Sequence, residues 1–387
     1  KMFNNLKVAF EDKSDRDLNR AYLLFKTISN PLFSKTLTAF VKTAMWLRLP
    51  ISSLIKATVY KHFCGGTTIE NSQTVIDKLW QSHIGTILDF SAEGKESKTD
   101  FNRAMNETIA SLHKAKTTNS IPFSVFKPTG LARFSLLEKI SAGTKLSPEE
   151  EIEKTAFETR IENICTVSSE NKIPVFIDAE ESWIQNAIDS IAVKMMQKFN
   201  TKQAWIFNTL QLYRNDRVAY LEILLANARK NNFFIGLKLV RGAYHEQEIK
   251  RAKEMDYPCP VHTIKENTDK DYNKALSLCI KNIDIISVCA GTHNEDSSAL
   301  LINLLENHNI SKDDKRVYFS QLLGMSDHIS YNAAKKGFNV AKYVPYGPVK
   351  DVLPYLIRRA EENTSIAGQM GRELSNIIAE KKRRKNT

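Results

Sequence analysis

Cysteine is scarce in this chain of 387 residues, and the few cysteines show no C-x-x-C pair. An odd number without that spacing argues against a disulfide framework or a zinc cluster and indicates reducing surroundings. We therefore expect no metal site, and we expect each cysteine to be a small buried apolar residue. The five are Cys64, Cys165, Cys259, Cys279 and Cys289.

Glycine-rich phosphate-binding turns are also missing. No two glycines stand at the i, i+2 spacing of G-x-G-x-x-G, and no G-x-x-x-x-G-K-[ST] occurs. Both motifs hold phosphates on backbone N–H groups at a helix start. Their absence disfavours a doubly wound sheet with a dinucleotide at its first turn.

Long apolar runs are absent too. The most apolar N-terminal stretch, residues 38–60, is interrupted by Lys42, Arg48, Pro50 and Lys56, so it is unsuited to crossing a bilayer. The first thirty residues are polar and lack the apolar core of a secretory signal. We expect a cytoplasmic protein.

The net charge of +11 is unevenly distributed. Residues 1–66 carry 11 basic and 4 acidic side chains, and residues 379–387 carry 5 and 1. The segment between them has 39 of each sign and is neutral. A nucleic-acid-binding domain is normally basic across its recognition surface, so the neutral middle argues against a nucleic-acid partner.

What the chain does have is a repeated alternation of short apolar runs and amphipathic stretches. The runs are rich in Val, Ile and Phe, as in strands buried on both faces. Eight such units in series predict a closed (βα)8 barrel of the TIM type, in the α/β class. The predicted strands are 84–90, 121–126, 173–177, 204–207, 233–240, 283–289, 316–319 and 340–344.

The predicted helices give the domain organisation. Residues 182–198, 216–230, 295–307 and 348–363 have helical patterns, and residues 131–170 form a helical insertion after the second strand, begun by Ser147 and Pro148. We expect three parts, which are an N-terminal helical arm (1–80), a catalytic barrel (81–370) and a basic C-terminal tail (371–387).

Polar residues follow every predicted strand. Because catalysis in such barrels occurs at the carboxyl ends of the strands, these residues predict a pocket for a sizeable polar ligand. They are Asp89 and Glu93, Lys127, Asp178 with Glu180 and Glu181, Asn208 with Gln211, Lys238 with Arg241, Thr292-His293-Asn294, Gln321 and Tyr343.

The helix after the last strand carries Tyr355, Arg358, Arg359 and Glu362 at spacings that place them on one face. Arginine forks bind carboxylates bidentately, and a neighbouring aromatic ring packs on an apolar one. A solvent-facing helix with an Arg–Glu pair of little energetic value is the alternative.

These segments together resemble the proline dehydrogenase family of flavoproteins. The similarity covers roughly residues 84–366, in order. The matching stretches are 176–181 (FIDAEE), 237–244 (LKLVRGAY), 291–294 (GTHN), 321–325 (QLLGM), 342–347 (KYVPYG) and 353–363 (LPYLIRRAEEN).

The resemblance implies non-covalent FAD and oxidation of L-proline to Δ1-pyrroline-5-carboxylate, the first step of proline catabolism. Arg358 and Arg359 would bind the proline carboxylate, and Glu93 would pair with Arg358 over the bound substrate. The pyrrolidine ring would contact Tyr343, Tyr355 and Leu322. The catalytic group would be Lys127, Asp178, Lys238 and Tyr343.

The resemblance also implies a set of cofactor contacts. Asn208, where the bacterial bifunctional enzymes have glutamine, and Lys238, where arginine is common near flavin N5, would retune the flavin without abolishing activity. Lys265 would meet the phosphates. The whole set is Asn208, Lys238, Val240, Gly242, Ala243, Tyr244, Lys265, Thr292, His293, Asn294, Gln321 and Glu362.

Three other functions stay open. They are oxidation of 4-hydroxyproline, a Schiff-base aldolase reaction on Lys127, and non-catalytic anion binding by the basic ends.

The resemblance also implies a quinone electron acceptor and, because no aldehyde dehydrogenase segment follows, a separate pyrroline-5-carboxylate dehydrogenase. An anionic membrane surface is one expected partner of the basic ends, on the inner face of the membrane, and ordinary solvated helix faces are the alternative. Contact would be made by Lys42, Arg48, Lys56 and Lys61 among Phe40, Trp46, Leu49 and Ile55.

Overall fold

The centre of the protein is a closed barrel of eight parallel strands in chain order. The computed structural model describes residues 2–28, 43, 55–92, 94–365 and 369–386, with the backbone alone for 360–365 and 369–370. The predicted (βα)8 class is confirmed. The strands are β1 Ile84–Phe90, β2 Phe123–Phe126, β3 Val175–Ile177, β4 Ile206–Gln211, β5 Ile235–Val240, β6 Ile286–Gly291, β7 Val317–Leu322 and β8 Val340–Tyr346.

The barrel closes between its first and last strands. β1 and β8 pair in parallel from Ile84 opposite Val340 to Phe90 opposite Tyr346. All predicted strands exist, but β4 and β7 extend four and three residues beyond their predicted ends, because polar residues continue the strands.

Helices surround the barrel and flank it at both chain ends. In the described residues they are α1 Leu6–Ala9, α2 Asp15–Ile28, α3 Lys61–Phe63 after a π-helical turn Lys56–Tyr60, α4 Gln73–Gln81, α5 Lys98–Lys116, α6 Phe134–Ser141, α7 Pro148–Asn171, α8 Ser182–Phe199, α9 Arg217–Asn231, α10 His245–Glu254, α11 Lys265–Lys281, α12 Glu295–Asn307, α13 Asp327–Lys335, α14 Val349–Ser365 and α15 Gln369–Lys385. Single 3₁₀ turns lie at Glu70–Ser72 and Pro128–Gly130.

The helical insertion after β2 consists of α6 and α7. α7 begins at the predicted residue because Ser147 and Glu150 form a reciprocal capping box and Pro148 occupies the first turn. These groups satisfy backbone N–H donors that a helix start leaves unpaired. Lys172, in the left-handed conformation, ends the helix.

An aromatic layer fills the barrel interior. The rings of Phe123 and Phe176 stack with centroids 4.5 Å apart, and Phe207 and Tyr318 meet them edge-on. Side chains two residues apart in a strand face the same side. Asp178, two residues after Phe176, therefore follows this layer toward the carboxyl ends of the strands.

The described N-terminal segments pack on the barrel. The N–H of Gly65 donates to the carbonyl of Pro345 at 2.9 Å, and a Cβ at Gly65 would meet Val344 at 2.6 Å, so this close approach requires glycine. The hydroxyl of Tyr60 donates to the carbonyl of Gly347 at 2.8 Å.

A second apolar cluster joins both chain ends to the helix after β8. Phe25 and Phe63 are 1% and 0% exposed and pack in one cluster with residues of α14 and with Ile377 of α15. We call this the brace. Its members in α14 are Val352, Leu353, Tyr355 and Leu356.

The segment expected to be a basic tail is the helix α15. Its Glu380 is fully buried and accepts hydrogen bonds from Arg383 and Arg384, at 2.7–2.8 Å. The basic residues favour the helix because they lie at its carboxyl end, where the backbone dipole is negative. The end of the described chain is therefore a folded part of the brace.

Candidate active site

A lysine joins the side chains at the carboxyl ends of the first three strands. The Nζ of Lys127, the residue after β2, lies 2.8 Å from Oδ2 of Asp89 in β1. The same Nζ lies 3.2 Å from Oδ2 of Asp178, the residue after β3. All three side chains are at most 12% exposed. The strand ends thus bring together residues that lie far apart in sequence.

Two later strands add their side chains to Asp178. Oδ1 of Asp178 accepts from Nζ of Lys238 in β5, and Oδ2 accepts from the hydroxyl of Tyr343 in β8. The Lys238 ammonium lies 5.1 and 4.7 Å from the ring centroids of Phe176 and Tyr343. The structure therefore places the four residues predicted to be catalytic in one buried group. Together with Asp89 we call it the mouth cluster: Asp89, Lys127, Asp178, Lys238 and Tyr343.

The electrostatics of the mouth cluster fix its protonation states. Burial disfavours the Asp178 carboxylate, but the charges of Lys238 and Lys127 outweigh it and lower the Asp178 pKa to about 2. Burial and the neighbouring Asp178 charge raise the pKa of Tyr343 well above its ordinary value. Near neutral pH, Asp178 is an anion and Tyr343 a neutral hydrogen-bond donor.

The helix α14 lies next to the mouth cluster. Tyr355 is buried and close enough to Tyr343 to affect its pKa, and Arg359, 8% exposed, lies 5.2 Å from the Tyr355 ring centroid. Arg358, partly buried, lies 5.8 Å from the ring of Tyr244, which follows β5. Two guanidinium groups and two tyrosines are thus collected at one side of the barrel mouth.

Leu322 links the barrel interior to α14. It ends β7, is partly buried, and packs against both the interior aromatic cluster and the brace. Its placement between Tyr343 and α14 is consistent with the apolar contact expected of it.

The structure corrects the position of Asn208. Its Nδ2 donates to Oδ1 of Asp189 in α8 at 2.8 Å, so the side chain lies on the outer face of the barrel. The error arose because β4 continues to Gln211, whose side chain shares a face with the interior Phe207. The Nε2 of Gln211 donates to the carbonyl of Glu180, and its Oε1 accepts from the N–H of Ala243 at 3.2 Å.

The loop after β5 is held by close packing. Gly242 has φ +146°, and a Cβ there would lie 2.5 Å from the ring of Tyr213. Ala243 is fixed by its hydrogen bond to Gln211, Val240 is the partly buried end of β5, and Tyr244 is buried. The N–H of Ala243 thus lies beside the side chain of Gln211, and the contact of this stretch with the flavin ring stays a prediction.

Arg241, in the same loop, was predicted only as one of the polar residues at the strand ends, without a role of its own. Its guanidinium donates to Asp269 at 2.7 Å, to Thr292 at 2.6 Å and to Ser297 at 2.9 Å, and lies over the ring of Tyr272. It connects the loop after β5 with the residues after β6. The sequence signal was available, since Arg241 follows a strand directly, but its partners lie on other elements.

The residues after β6 and β7 form one hydrogen-bonded group. The Nε2 of Gln321 donates to the carbonyl of Thr292 at 3.0 Å. His293 Nδ1 lies 2.9 Å from the hydroxyl of Ser326. Asn294 caps α12 by accepting from the N–H of Ser297 at 2.9 Å.

Three remaining predicted residues have different outcomes. Lys265 lies at the start of α11, exposed, with Nζ 2.6 Å from Asp269. Glu93 lies outside the described residues, and so does the side chain of Glu362. Their predicted roles stay predictions.

The described residues contain neither a metal-binding cluster nor a membrane-spanning helix. Within them, no group of three or more His, Cys, Asp or Glu side chains is arranged to hold a metal ion. No helix there has the length and apolar character needed to cross a membrane. The cysteines of this part of the chain are all free, and Cys259 alone among them is not buried.

The chain belongs to the proline dehydrogenase family, whose model matches residues 72–372. The match includes all eight strands of the barrel.

Three curated relatives illustrate the similarity. The "Carbapenem antibiotics biosynthesis protein CarD" of Pectobacterium carotovorum subsp. carotovorum is 32% identical, over 96% of each chain. "Proline dehydrogenase 1, mitochondrial" of Dictyostelium discoideum is 30% identical over 97% of this chain and 74% of its own. The "Hydroxyproline dehydrogenase" of Xenopus laevis is 29% identical over 97% and 88%.

The fold has a counterpart among solved structures. Proline utilization A from Bdellovibrio bacteriovorus, inactivated by N-propargylglycine, superposes with a TM-score of 0.72 at 18% identity. The match covers 96% of this chain and 40% of that one. At this identity the comparison supports the barrel architecture alone.

Proposed function

We propose that this protein oxidises L-proline to Δ1-pyrroline-5-carboxylate with bound FAD. The observation that carries the proposal is the mouth cluster lying beside the two arginines of α14, in a chain of the proline dehydrogenase family. Together these groups offer cations for a carboxylate, aromatic surfaces for a small ring, and buried donors for a large polar cofactor.

The α14 helix supplies the substrate-binding groups. Arg358 and Arg359 bind the proline carboxylate, because guanidinium forks match its geometry and Arg359 is already buried. Tyr355 and Tyr343 pack on the pyrrolidine ring, and Leu322 closes its apolar side. Fixing both ends of the substrate in advance removes orientational freedom that would otherwise oppose the reaction.

The residues at the mouth fit FAD. The flavin ring and diphosphate present mainly acceptors, and the ammonium of Lys238 and the amide of Gln211 each have further N–H donors beyond their bonds to Asp178 and Glu180. Thr209 lies opposite Lys238 in the strand register. Its hydroxyl is buried and has no hydrogen-bond partner among the described residues. Bound in this place, FAD would supply the acceptor for the hydride of the ring carbon next to nitrogen.

The mouth cluster determines whether a group near the substrate can donate a proton to it. The amine must be unprotonated when hydride leaves, and Asp178, ionised with a pKa of about 2, does not supply a proton to it near neutral pH. Asp178 also fixes Lys127, Lys238 and Tyr343 at once, so these groups keep their positions while substrate enters. Gln211 replaces Asn208 as the proposed amide contact to the flavin.

The electrons pass on to a quinone, and a separate dehydrogenase oxidises the product. The basic chain ends seat the protein on anionic lipid at the inner membrane face, with Lys56, Lys61, Lys382 and Lys385 exposed. Ile55 cannot contribute, because it is 7% exposed and packed in the brace. Lys42, Arg48, Phe40, Trp46 and Leu49 lie outside the described residues.

The contacts in the same site distinguish the proposed function from its alternatives. For 4-hydroxyproline, Tyr343 would crowd the ring hydroxyl, which favours proline. For an aldolase, Lys127 would need to be a neutral amine, whereas carboxylates 2.8 and 3.2 Å away favour its ammonium form. Anion binding by the basic ends leaves the mouth cluster unexplained.

An absorbance spectrum of the purified protein under anaerobic conditions tests the proposal. Flavin bands that bleach when L-proline is added, and do so faster than with 4-hydroxyproline, are the expected result. A colourless protein that fails to bind added FAD would overturn it. Borohydride trapping of a carbonyl substrate on Lys127 would instead establish the aldolase.

A further inference from the structure

A buried carboxyl group on the last described helix bonds Ser326, which follows β7. Glu373 of α15 is 4% exposed, and its Oε1 accepts the backbone N–H of Ser326 at 2.6 Å. The hydroxyl of Ser326 lies 3.3 Å from the same oxygen and 2.9 Å from Nδ1 of His293. Glu373, Ser326 and His293 thus form a continuous chain from the brace to the proposed cofactor site, which we call the relay.

The number of protons in the relay permits two arrangements. The Ser326 hydroxyl has one proton to donate, and a neutral imidazole has one N–H. If Ser326 donates to Glu373, then Nδ1 of His293 must be the protonated nitrogen and must donate to Ser326. If Ser326 donates to Nδ1 instead, the His293 proton is on Nε2. The two arrangements give Nε2 opposite hydrogen-bonding character.

We propose that Glu373 is a positioning residue that sets, through Ser326, which nitrogen of His293 carries the proton. An ionised Glu373 accepts a hydrogen bond from the Ser326 hydroxyl, so Nδ1 of His293 carries the proton and Nε2 is an acceptor. A neutral Glu373 leaves that hydroxyl to donate to Nδ1, so Nε2 carries the proton and is a donor. The effect on FAD rests on the proposed function, but the tautomer of His293 is a property of this chain alone.

The surrounding charges place this change near neutral pH. Burial and the Asp327 carboxylate raise the pKa of Glu373 to about 7, against the opposing effects of Ser326 and of Lys342 in β8. Asp327 itself stays ionised, since Lys342 and Lys13 lower its pKa despite burial. Glu373 therefore gains or loses its proton while Asp327 remains ionised.

The histidines nearby do not titrate in the same range. Burial, with Lys342, Arg359, His328 and Arg241, lowers the pKa of His293 well below its ordinary value. Burial also lowers the pKa values of His62 and His328 to about 4. All three stay neutral at physiological pH, so His293 responds there by changing its tautomer and not its charge.

NMR of protein labelled with ¹⁵N-histidine tests the relay directly, because long-range ¹H–¹⁵N couplings distinguish the two tautomers. The His293 signals are assigned by their loss in His293→Gln. In the wild type we expect the proton to move from Nε2 to Nδ1 as the pH rises through about 7. In Glu373→Gln and in Ser326→Ala we expect no change with pH.

Glu380→Gln is the matched control, since Glu380 is also buried on α15 but bonds only arginines of its own helix in the described contacts. It should keep the wild-type profile. A wild-type tautomer that does not vary with pH, or a profile that survives in Ser326→Ala, would overturn the proposal. Ser326→Ala keeps the backbone N–H bond to Glu373, so it tests the hydroxyl without removing the α15 contact.

FAD affinity provides the second readout. An acceptor-rich cofactor favours a donor at Nε2, so the Kd for FAD should rise about fivefold between pH 6 and 8, the value of one hydrogen bond. Glu373→Gln should make the Kd independent of pH, and a Kd that falls as the pH rises would refute the donor assignment. If the protein binds no FAD, the proposed function fails while the NMR profile still decides the relay.

Discussion

Replacing Asp178 by asparagine should destabilise the protein more than any single change at its surface. The substitution keeps the shape of the side chain but removes the charge that three groups share. Lys127 retains Asp89 at 2.8 Å. Lys238, with its side chain 7% exposed, has no second carboxylate within ion-pair distance among the described residues.

The magnitude follows from two considerations. The Asp178 pKa falls from 3.8 to about 2, which corresponds to about 2 kcal/mol of stability. Because the native pKa is the lower one, this contribution is complete above the unfolded pKa and is lost as the pH falls through the native value. An unpaired buried ammonium costs about 3–5 kcal/mol, so we expect Asp178→Asn to lose that amount at neutral pH.

Urea unfolding followed by circular dichroism measures the loss. The double variant Asp178→Asn with Lys238→Met should recover about 2 kcal/mol or more, because it also removes the stranded charge. Asp284→Asn is the control, since Asp284 and Arg229 are 58% and 48% exposed and such a surface pair contributes about 0–1 kcal/mol. A single variant within about 1 kcal/mol of wild type would refute the reasoning.

Three further predictions concern the mouth and the brace. Tyr343→Ser should raise turnover of 4-hydroxyproline relative to proline by roughly tenfold, by removing bulk next to the ring, and an unchanged ratio in steady-state assays would contradict this. Gly242→Ala should cost about 2–4 kcal/mol and weaken FAD binding, since its Cβ would clash with Tyr213. Gly371→Ala, in an open helical position, should instead be neutral or stabilising by up to about 1 kcal/mol in the same unfolding assay. Tyr60→Phe should reduce the free energy of unfolding by about 1 kcal/mol, because it removes the hydrogen bond to the carbonyl of Gly347. It should also raise the KM for proline more than it lowers kcat, because it loosens the start of α14. A fall in kcat alone would argue against the brace as a support for substrate binding.

The barrel was predictable because its signals are local. Continuous apolar runs mark strands buried on both faces, and Ser147 with Pro148 marks the start of α7 within a few residues of sequence. The mouth cluster was predictable for a related reason, since closing a barrel brings all strand ends together whatever their separation in the chain.

What sequence could not supply was the orientation of polar residues near a strand end. Asn208 and Gln211 are both polar and follow the same apolar run, yet one contacts Asp189 outside the barrel and the other lies at the mouth. The difference depends on the true end of β4 and on an acid in another helix. Lys342 shows the same limit, because its full burial is tolerated through Asp327, 2.8 Å away on α13.

The mouth cluster is energetically unfavourable in a barrel interior, because it buries charged groups. The layer beneath it is filled by aromatic rings, and apolar side chains of similar volume are often as stabilising as a buried ion pair, or more so. Folding alone therefore does not account for two ammonium groups and two carboxylates at this level. A ligand does, because fixed charges in a water-poor site act on a reacting molecule without first having to reorganise. If that is the reason, the double variant that removes Asp178 and Lys238 should regain stability and still fail to oxidise proline, which separates the two roles in one protein.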